Sequence, residues 1–219
     1  MKLAAATKLL FIGDSITDCG RDPTGNATPW NLNAGLGRGY VDLVAAHLGV
    51  LCPSLKVRVI NRGISGNTAL DLANRWDADV LQLQPDWLVV MIGINDVWRQ
   101  FDQPLVTEAH VLPDVYQRTL DGLLRRTRVS GRIVLMTPFM VEPNRDEPMR
   151  RRMGEYGDIV NRLAATHGAL LVDTQAAFDD VLSTTHPMAI AWDRIHPNTT
   201  GHLVLARAFL RAIEAPGLS

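Results

Sequence analysis

Two stretches at opposite ends of the chain carry residue types suited to nucleophilic catalysis. Asp193 stands three residues before His196 in the run AWDRIHP, with Pro197 stiffening the chain directly afterwards. At that spacing a carboxylate can accept the Nδ1 proton of the imidazole and leave Nε2 free to take a proton. Near the other end, Leu9 to Thr17 reads LLFIGDSIT, an apolar run, a glycine, then Asp14 and Ser15. A serine placed where a strand gives way to a loop or helix is exposed at the sheet edge, so Ser15, His196 and Asp193 read as nucleophile, base and base-orienting carboxylate. Alone, Asp14 and Ser15 read just as well as a helix cap, a task both residue types perform.

Attack by a serine on an ester carbonyl creates an oxyanion that needs preorganised donors. NRGISGNT, Asn61 to Thr68, offers the backbone N–H of Gly63, and MIGINDVW, Met91 to Trp98, offers the side-chain amide of Asn95. With the N–H of Ser15 these make three expected donors. Either residue by itself also reads as an ordinary turn residue. Asp14, Trp98, Arg99 and Trp192 lie in or beside these stretches and are candidate substrate contacts, the aromatic faces for stacking on a substrate. Trp98 and Trp192 read equally as packing residues, Trp76 and Trp87 read as core, and Trp30 reads either way.

Short apolar runs alternate with longer amphipathic ones, the pattern of a parallel sheet wrapped by helices. Strands are expected at Lys8–Gly13, Lys56–Asn61, Trp87–Ile92, Arg132–Met136 and Ala169–Asp173. Helices are expected near Tyr40–Leu48, Ala69–Gln84, Leu112–Val129, Pro148–Thr166, Thr174–Leu182 and Thr200–Ile213. In such sheets ligands bind beyond the carboxyl ends of the strands, where Ser15, Gly63 and Asn95 would gather. Without a linker-like shift in composition or an internal repeat, residues 1–219 read as one domain.

Of the 219 residues 47% are hydrophobic and 21% charged, enough apolar content for one core without disulfide or structural metal. A formal net charge of -1 argues against nucleic acid as a partner. No apolar run approaches the roughly 18 residues of a membrane span. Cys19 and Cys52 lack paired metal-site spacing and read as reduced thiols. Met1 to Gly13 resembles a signal peptide only superficially, since Lys8 interrupts its apolar run, and a cytoplasmic enzyme is expected. Asp14 and Asp96 with His196 raise the alternative of a metal phosphoesterase. The chain has no paired metal-binding motif to support it, so neither metal nor other cofactor is expected. Asp14 reads as ordering the Ser15 turn and Asp96 the Asn95 loop, while His202 reads as a helix residue.

Taken together and in order, the segments around Ser15, Gly63, Asn95 and His196 resemble the four blocks that define the SGNH (GDSL-type) hydrolases. Within that family the chain looks similar to intracellular bacterial acetyl xylan esterases, through FIGDSITDCGR, RGISGNT, MIGINDVWRQ, LMTPFM, EPMRRRM, VDTQAAF, AWDRIHP and ARAFL. The resemblance implies a three-layer α/β/α fold of flavodoxin-like type around a five-stranded parallel sheet. It implies a metal-free serine esterase removing acetyl groups from short xylo-oligosaccharides, and a homo-oligomer, an octamer among the assemblies it suggests. A lysophospholipase or thioesterase, and a general carbohydrate acetylesterase, are the alternatives.

Overall fold

The computed structural model describes residues 2–25 and 33–218; Trp30 lies outside them. Five strands form one wholly parallel sheet in the order β2-β1-β3-β4-β5. They are β1 (Lys8–Gly13), β2 (Arg58–Gly63), β3 (Trp87–Met91), β4 (Ile133–Met136) and β5 (Leu170–Val172). β1 and β3 are buried from Leu9 to Gly13 and from Trp87 to Met91 because helices cover both faces, which is why they read as unbroken apolar runs.

Among the described residues eight α-helices surround the sheet: α1 (Ser15–Asp18), α2 (Tyr40–Leu51), α3 (Ala69–Trp76), α4 (Ile94–Asp102), α5 (Pro113–Arg126), α6 (Pro148–His167), α7 (Thr174–Leu182) and α8 (Thr199–Ala212). One layer joins α2, α8 and α7 side by side; α3, α5, α6 and α4 pack together in the other. The result is the expected three-layer α/β/α arrangement. The order in which strands are added reverses between β1 and β3, the switch point at which open sheets of this order present ligands.

Most element ends fall within three residues of expectation; three differences bear on the site. β2 begins two residues later and runs through Gly63, because Pro53–Leu55 forms a 3-10 turn that ends with Lys56 in the left-handed region, φ 48°. Pairing then continues to Gly13↔Gly63, so Gly63 closes the strand. Helix α4 is absent from the expected elements. Its signal was the helical spacing of Ile94, Val97, Trp98 and Phe101, masked by reading Asn95 as a loop donor. The expected long helix after Ala69 stops as α-helix at Trp76 and continues as a π-helical stretch, Asp77–Leu81. Trp76 and Trp87 are core residues as expected, 0% and 4% exposed.

Candidate active site

Helix α1 starts at Ser15 because Asp14 caps it, its Oδ1 accepting the Ile16 N–H at 3.0 Å. Capping by Asp14 and the placement of Ser15 at the end of β1 are therefore the same local structure. Asp14 is buried, and its candidacy as a substrate contact fails: the carboxylate is turned into the fold by the cap it makes. Asn198 caps α8 in the same way at the end of the 191–198 loop, and Ile190 and Ile195 anchor that loop in the core. Arg194 adopts a left-handed φ of 65°, uncommon outside glycine. Its carbonyl accepts the Val141 N–H at 2.9 Å and its guanidinium donates to Glu142 Oε2 at 2.7 Å, which hold the turn.

This turn brings the two ends of the chain together. Ser15 Oγ lies 3.0 Å from His196 Nε2, and His196 Nδ1 lies 2.6 Å from Asp193 Oδ2. The other Asp193 oxygen accepts the N–H groups of Ile195 and His196 at 2.9 and 2.8 Å. Burial works to raise the Asp193 carboxyl, but hydrogen bonds from the His196 ring and these two N–H groups outweigh it and hold it below the ordinary value. An ionised Asp193 fixes the imidazole with its proton on Nδ1, leaving Nε2 as acceptor for the serine hydroxyl.

The donors beside Ser15 differ in one respect from expectation. The N–H of Gly63 is committed to Asn61 Oδ1 at 2.8 Å and faces the outer side of the edge strand. Glycine is required there because a Cβ would lie 2.2 Å from the Asp18 nitrogen, so β2 could not pass α1. Three residues on, Gly66 occupies a turn with φ 84°, and among the described residues the N–H groups of Ser15 and Gly66 donate to nothing. Ser65 ties the turn to α1 through Asp18 Oδ2, from its N–H at 3.2 Å and its hydroxyl at 2.6 Å. Asn95 Nδ2 donates one hydrogen to the carbonyl of Asn67 at 2.9 Å, bringing α4 against the same turn. The sequence signal for Gly66 was available, since it lies in the same NRGISGNT segment.

Residues 11–204 match the GDSL-like Lipase/Acylhydrolase family. The chain belongs to this family. It is 53% identical over 216 residues, 97% of its own length and 96% of the relative's, to an acetylxylan esterase of Geobacillus stearothermophilus. The crystal structure of Axe2, an acetylxylan esterase from Geobacillus stearothermophilus, superposes with a TM-score of 0.92 at 52% identity, covering 97% of this chain and 96% of that one. LAE5, an alpha/beta hydrolase enzyme from the metagenome of Lake Arreo, Spain, gives a TM-score of 0.94 at 52% identity over 100% of this chain and 99% of its own. A weaker likeness joins 58% of the chain to 54% of thioesterase 1/protease 1/lysophospholipase L1 of Escherichia coli K12, at 32% identity. As a GDSL-type enzyme the protein is a carboxylic ester hydrolase.

In this GDSL hydrolase Trp98 lies edge-on to His196, ring centroids 5.9 Å apart, with the Arg99 guanidinium 4.9 Å above the Trp98 ring and also paired with Asp102. Trp192, beside Asp193, is 78% exposed. His202 is a buried residue of α8, donating from Nε2 to Cys19 Sγ at 3.3 Å while Nδ1 accepts the Tyr40 N–H at 3.2 Å. Both cysteines are free. Asp96 is fully buried and accepts the Ala69 N–H at 2.9 Å, tying α4 to the start of α3. Among the described residues no group of three His, Cys, Asp or Glu side chains is placed to hold a metal ion.

Burial pushes the Asp14 carboxyl up to about 7, against the Ile16 hydrogen bond and the His196 charge. A carboxyl raised on folding stabilises the native state most below its unfolded value of about 3.9, and that contribution fades as pH climbs toward 7. Asp14→Asn keeps an acceptor for Ile16 and removes the titration. Chemical unfolding at pH 4 and 8 should show the variant gaining on the wild type at pH 8, at about 1.4 kcal/mol per pKa unit. An equal difference at both values would contradict this origin.

Proposed function

We propose that this GDSL hydrolase removes acetyl groups from acetylated xylo-oligosaccharides through an acetyl-enzyme on Ser15. The observation that carries the mechanism is the continuous relay from Ser15 Oγ through His196 to Asp193, at 3.0 and 2.6 Å. His196 Nε2 takes the hydroxyl proton as Ser15 Oγ bonds to the acetyl carbon, and the carbonyl electrons move onto its oxygen. The N–H groups of Ser15 and Gly66 and the free Asn95 Nδ2 hydrogen receive that oxyanion. Collapse breaks the bond to the sugar oxygen, which leaves with the proton from His196. Water then gives its proton to Nε2 and attacks the acetyl carbon, and acetate departs as Ser15 Oγ recovers a proton.

The acetyl-sugar substrate is supported by the extent of the likeness to the Geobacillus acetylxylan esterase, which spans nearly both chains. His196 is 42% exposed in its side chain, so the relay opens to solvent where a bulky sugar can approach. Trp98 and Arg99 border it on α4, and Trp192 borders it on the loop of Asp193. Acetate release from acetylated xylo-oligosaccharides should exceed that from other acetylated sugars, and 4-nitrophenyl acetate should be preferred to the octanoate. Equal rates on all sugars would make the protein a general carbohydrate acetylesterase; octanoyl preference would make it a thioesterase or lysophospholipase. Asn95→Ala removes one donor and should lower kcat about 10²- to 10³-fold.

The proposal takes residues 1–219 as one hydrolase domain acting in the cytoplasm as a homo-oligomer, with no nucleic-acid or membrane partner. It is consistent with two free cysteines, with the lack among the described residues of any helix long and apolar enough to cross a membrane, and with exposed apolar side chains such as Leu105 and Met188. Light scattering on the eluting peak of a size-exclusion column measures the subunit number.

A further inference from the structure

The guanidinium of Arg75, in the last turn of α3, donates to four acceptors from four different places in the chain. Nε reaches Asn67 Oδ1 at 2.7 Å, one terminal nitrogen reaches the Arg62 carbonyl at 2.7 Å and Asp79 Oδ2 at 2.8 Å, and the other reaches the Gly13 carbonyl at 2.9 Å. The side chain is only 14% exposed. Gly13 ends β1 and immediately precedes Asp14 and Ser15. Arg62 lies one residue before the end of β2, at the root of the Gly66 turn. Asn67 follows Gly66, and its carbonyl accepts the Asn95 amide. Gly13's carbonyl also accepts the Ile64 N–H at 3.1 Å, so Arg75 shares an acceptor with the strand that carries the turn.

We infer that Arg75 is a positioning residue for ester hydrolysis, its planar fork fixing the nucleophile's strand end and the Gly66–Asn95 donor pair in one register. The inference rests on the proposed roles of Ser15, Gly66 and Asn95. Arg75 touches neither ester nor reacting atom; it acts through the backbone at Gly13 and Arg62 and the side chain of Asn67. Asp79, delivered by the π-helical stretch after α3, holds the guanidinium from the far side and neutralises it. π-helical turns concentrate where a functional side chain has to be re-aimed. A lysine cannot serve, since its compact ammonium cannot span carbonyls on two strands and an amide on a turn together.

Arg75→Lys should separate this role from simple stabilisation. Its kcat for 4-nitrophenyl acetate should fall roughly 10- to 100-fold, the scale of effect that a sub-ångström misplacement of reacting groups produces. KM should stay within about twofold, because ground-state binding is untouched. The control is Asp86→Ala, which removes a carboxylate that accepts the Lys8 N–H at 2.8 Å and the Ser130 hydroxyl at 2.7 Å at the opposite end of the sheet, and should lower Tm without lowering kcat. Asn67→Ala, which cuts only the link to the turn, should lower kcat in the same sense and combine with Arg75→Lys less than additively. If Arg75→Lys fails to fold, Asn67→Ala carries the test alone. Wild-type kcat in a folded Arg75→Lys, or in Asn67→Ala where that variant stands alone, overturns the inference. So does a loss of kcat matched by Asp86→Ala at equal loss of Tm. Ser15→Ala run beside them separates the two levels, since an active Ser15→Ala would fell the underlying reading and an inactive one leaves the Arg75 result to be judged by itself.

Discussion

Ser15→Ala is expected to cut kcat on 4-nitrophenyl acetate by roughly 10⁴-fold or more, leaving only what the donors and substrate binding supply without a nucleophile. The loss should be almost purely chemical. Ser15 is half-buried and among the described residues its hydroxyl has one partner, His196 Nε2, so truncation removes that hydrogen bond from an open site. The cap of α1 is made by Asp14 and is retained. Circular dichroism and Tm should therefore match the wild type within the small change expected of a surface substitution, about ±0.5 kcal/mol. A fall in Tm large enough to unfold the variant at the assay temperature would leave the rate loss without its chemical explanation.

Asp193→Asn should cost about 10⁴ in kcat, for a reason that depends on hydrogens rather than on position. The amide carbonyl can keep the Ile195 and His196 N–H groups, as Asp193 Oδ1 does now. The amide nitrogen then faces His196 Nδ1 and requires it to accept. Its proton moves to Nε2, which points a donor at Ser15 Oγ instead of an acceptor. The imidazolium formed during attack also loses its counter-charge. Asp193→Asn should thus fold normally, bind substrate with KM little altered, and be nearly inactive at every pH. Retention of a tenth of the wild-type rate would mean that the carboxylate does not set the tautomer.

The approach of Ser15, His196 and Asp193, proposed here as the triad, was legible in the sequence because each carries its local structure with it. Asp193 and His196 need only the one-turn spacing, and Ser15 needs only a strand followed by its own cap. The sheet was legible because β1 and β3 are buried on both faces and show as apolar runs. Helix α4 escaped because its polar first turn, Asn95 and Asp96, reads as a loop and outweighed the helical spacing of Ile94, Val97, Trp98 and Phe101; tertiary contacts bury that turn. Gly63 was mistaken for a donor because a glycine required by close backbone approach and one required by a positive φ look alike in sequence. Only the Asn61 side chain, which takes the Gly63 N–H, and the left-handed turn at Gly66 tell them apart. Arg75 was invisible for a related reason. Four residues before Asp79, it has the spacing of an ordinary helix-surface ion pair, whereas three of its four acceptors come from two strand ends and a turn.

The central claim is that Ser15 becomes acetylated, and the direct measurement is mass spectrometry of enzyme quenched in acid during turnover of 4-nitrophenyl acetate, followed by peptide mapping. One added acetyl group on Ser15 is predicted, absent from Ser15→Ala and accumulating when water attack is slowed. Turnover with no adduct in the wild type, or an acetyl group that maps to another residue and persists in an active Ser15→Ala, would contradict it.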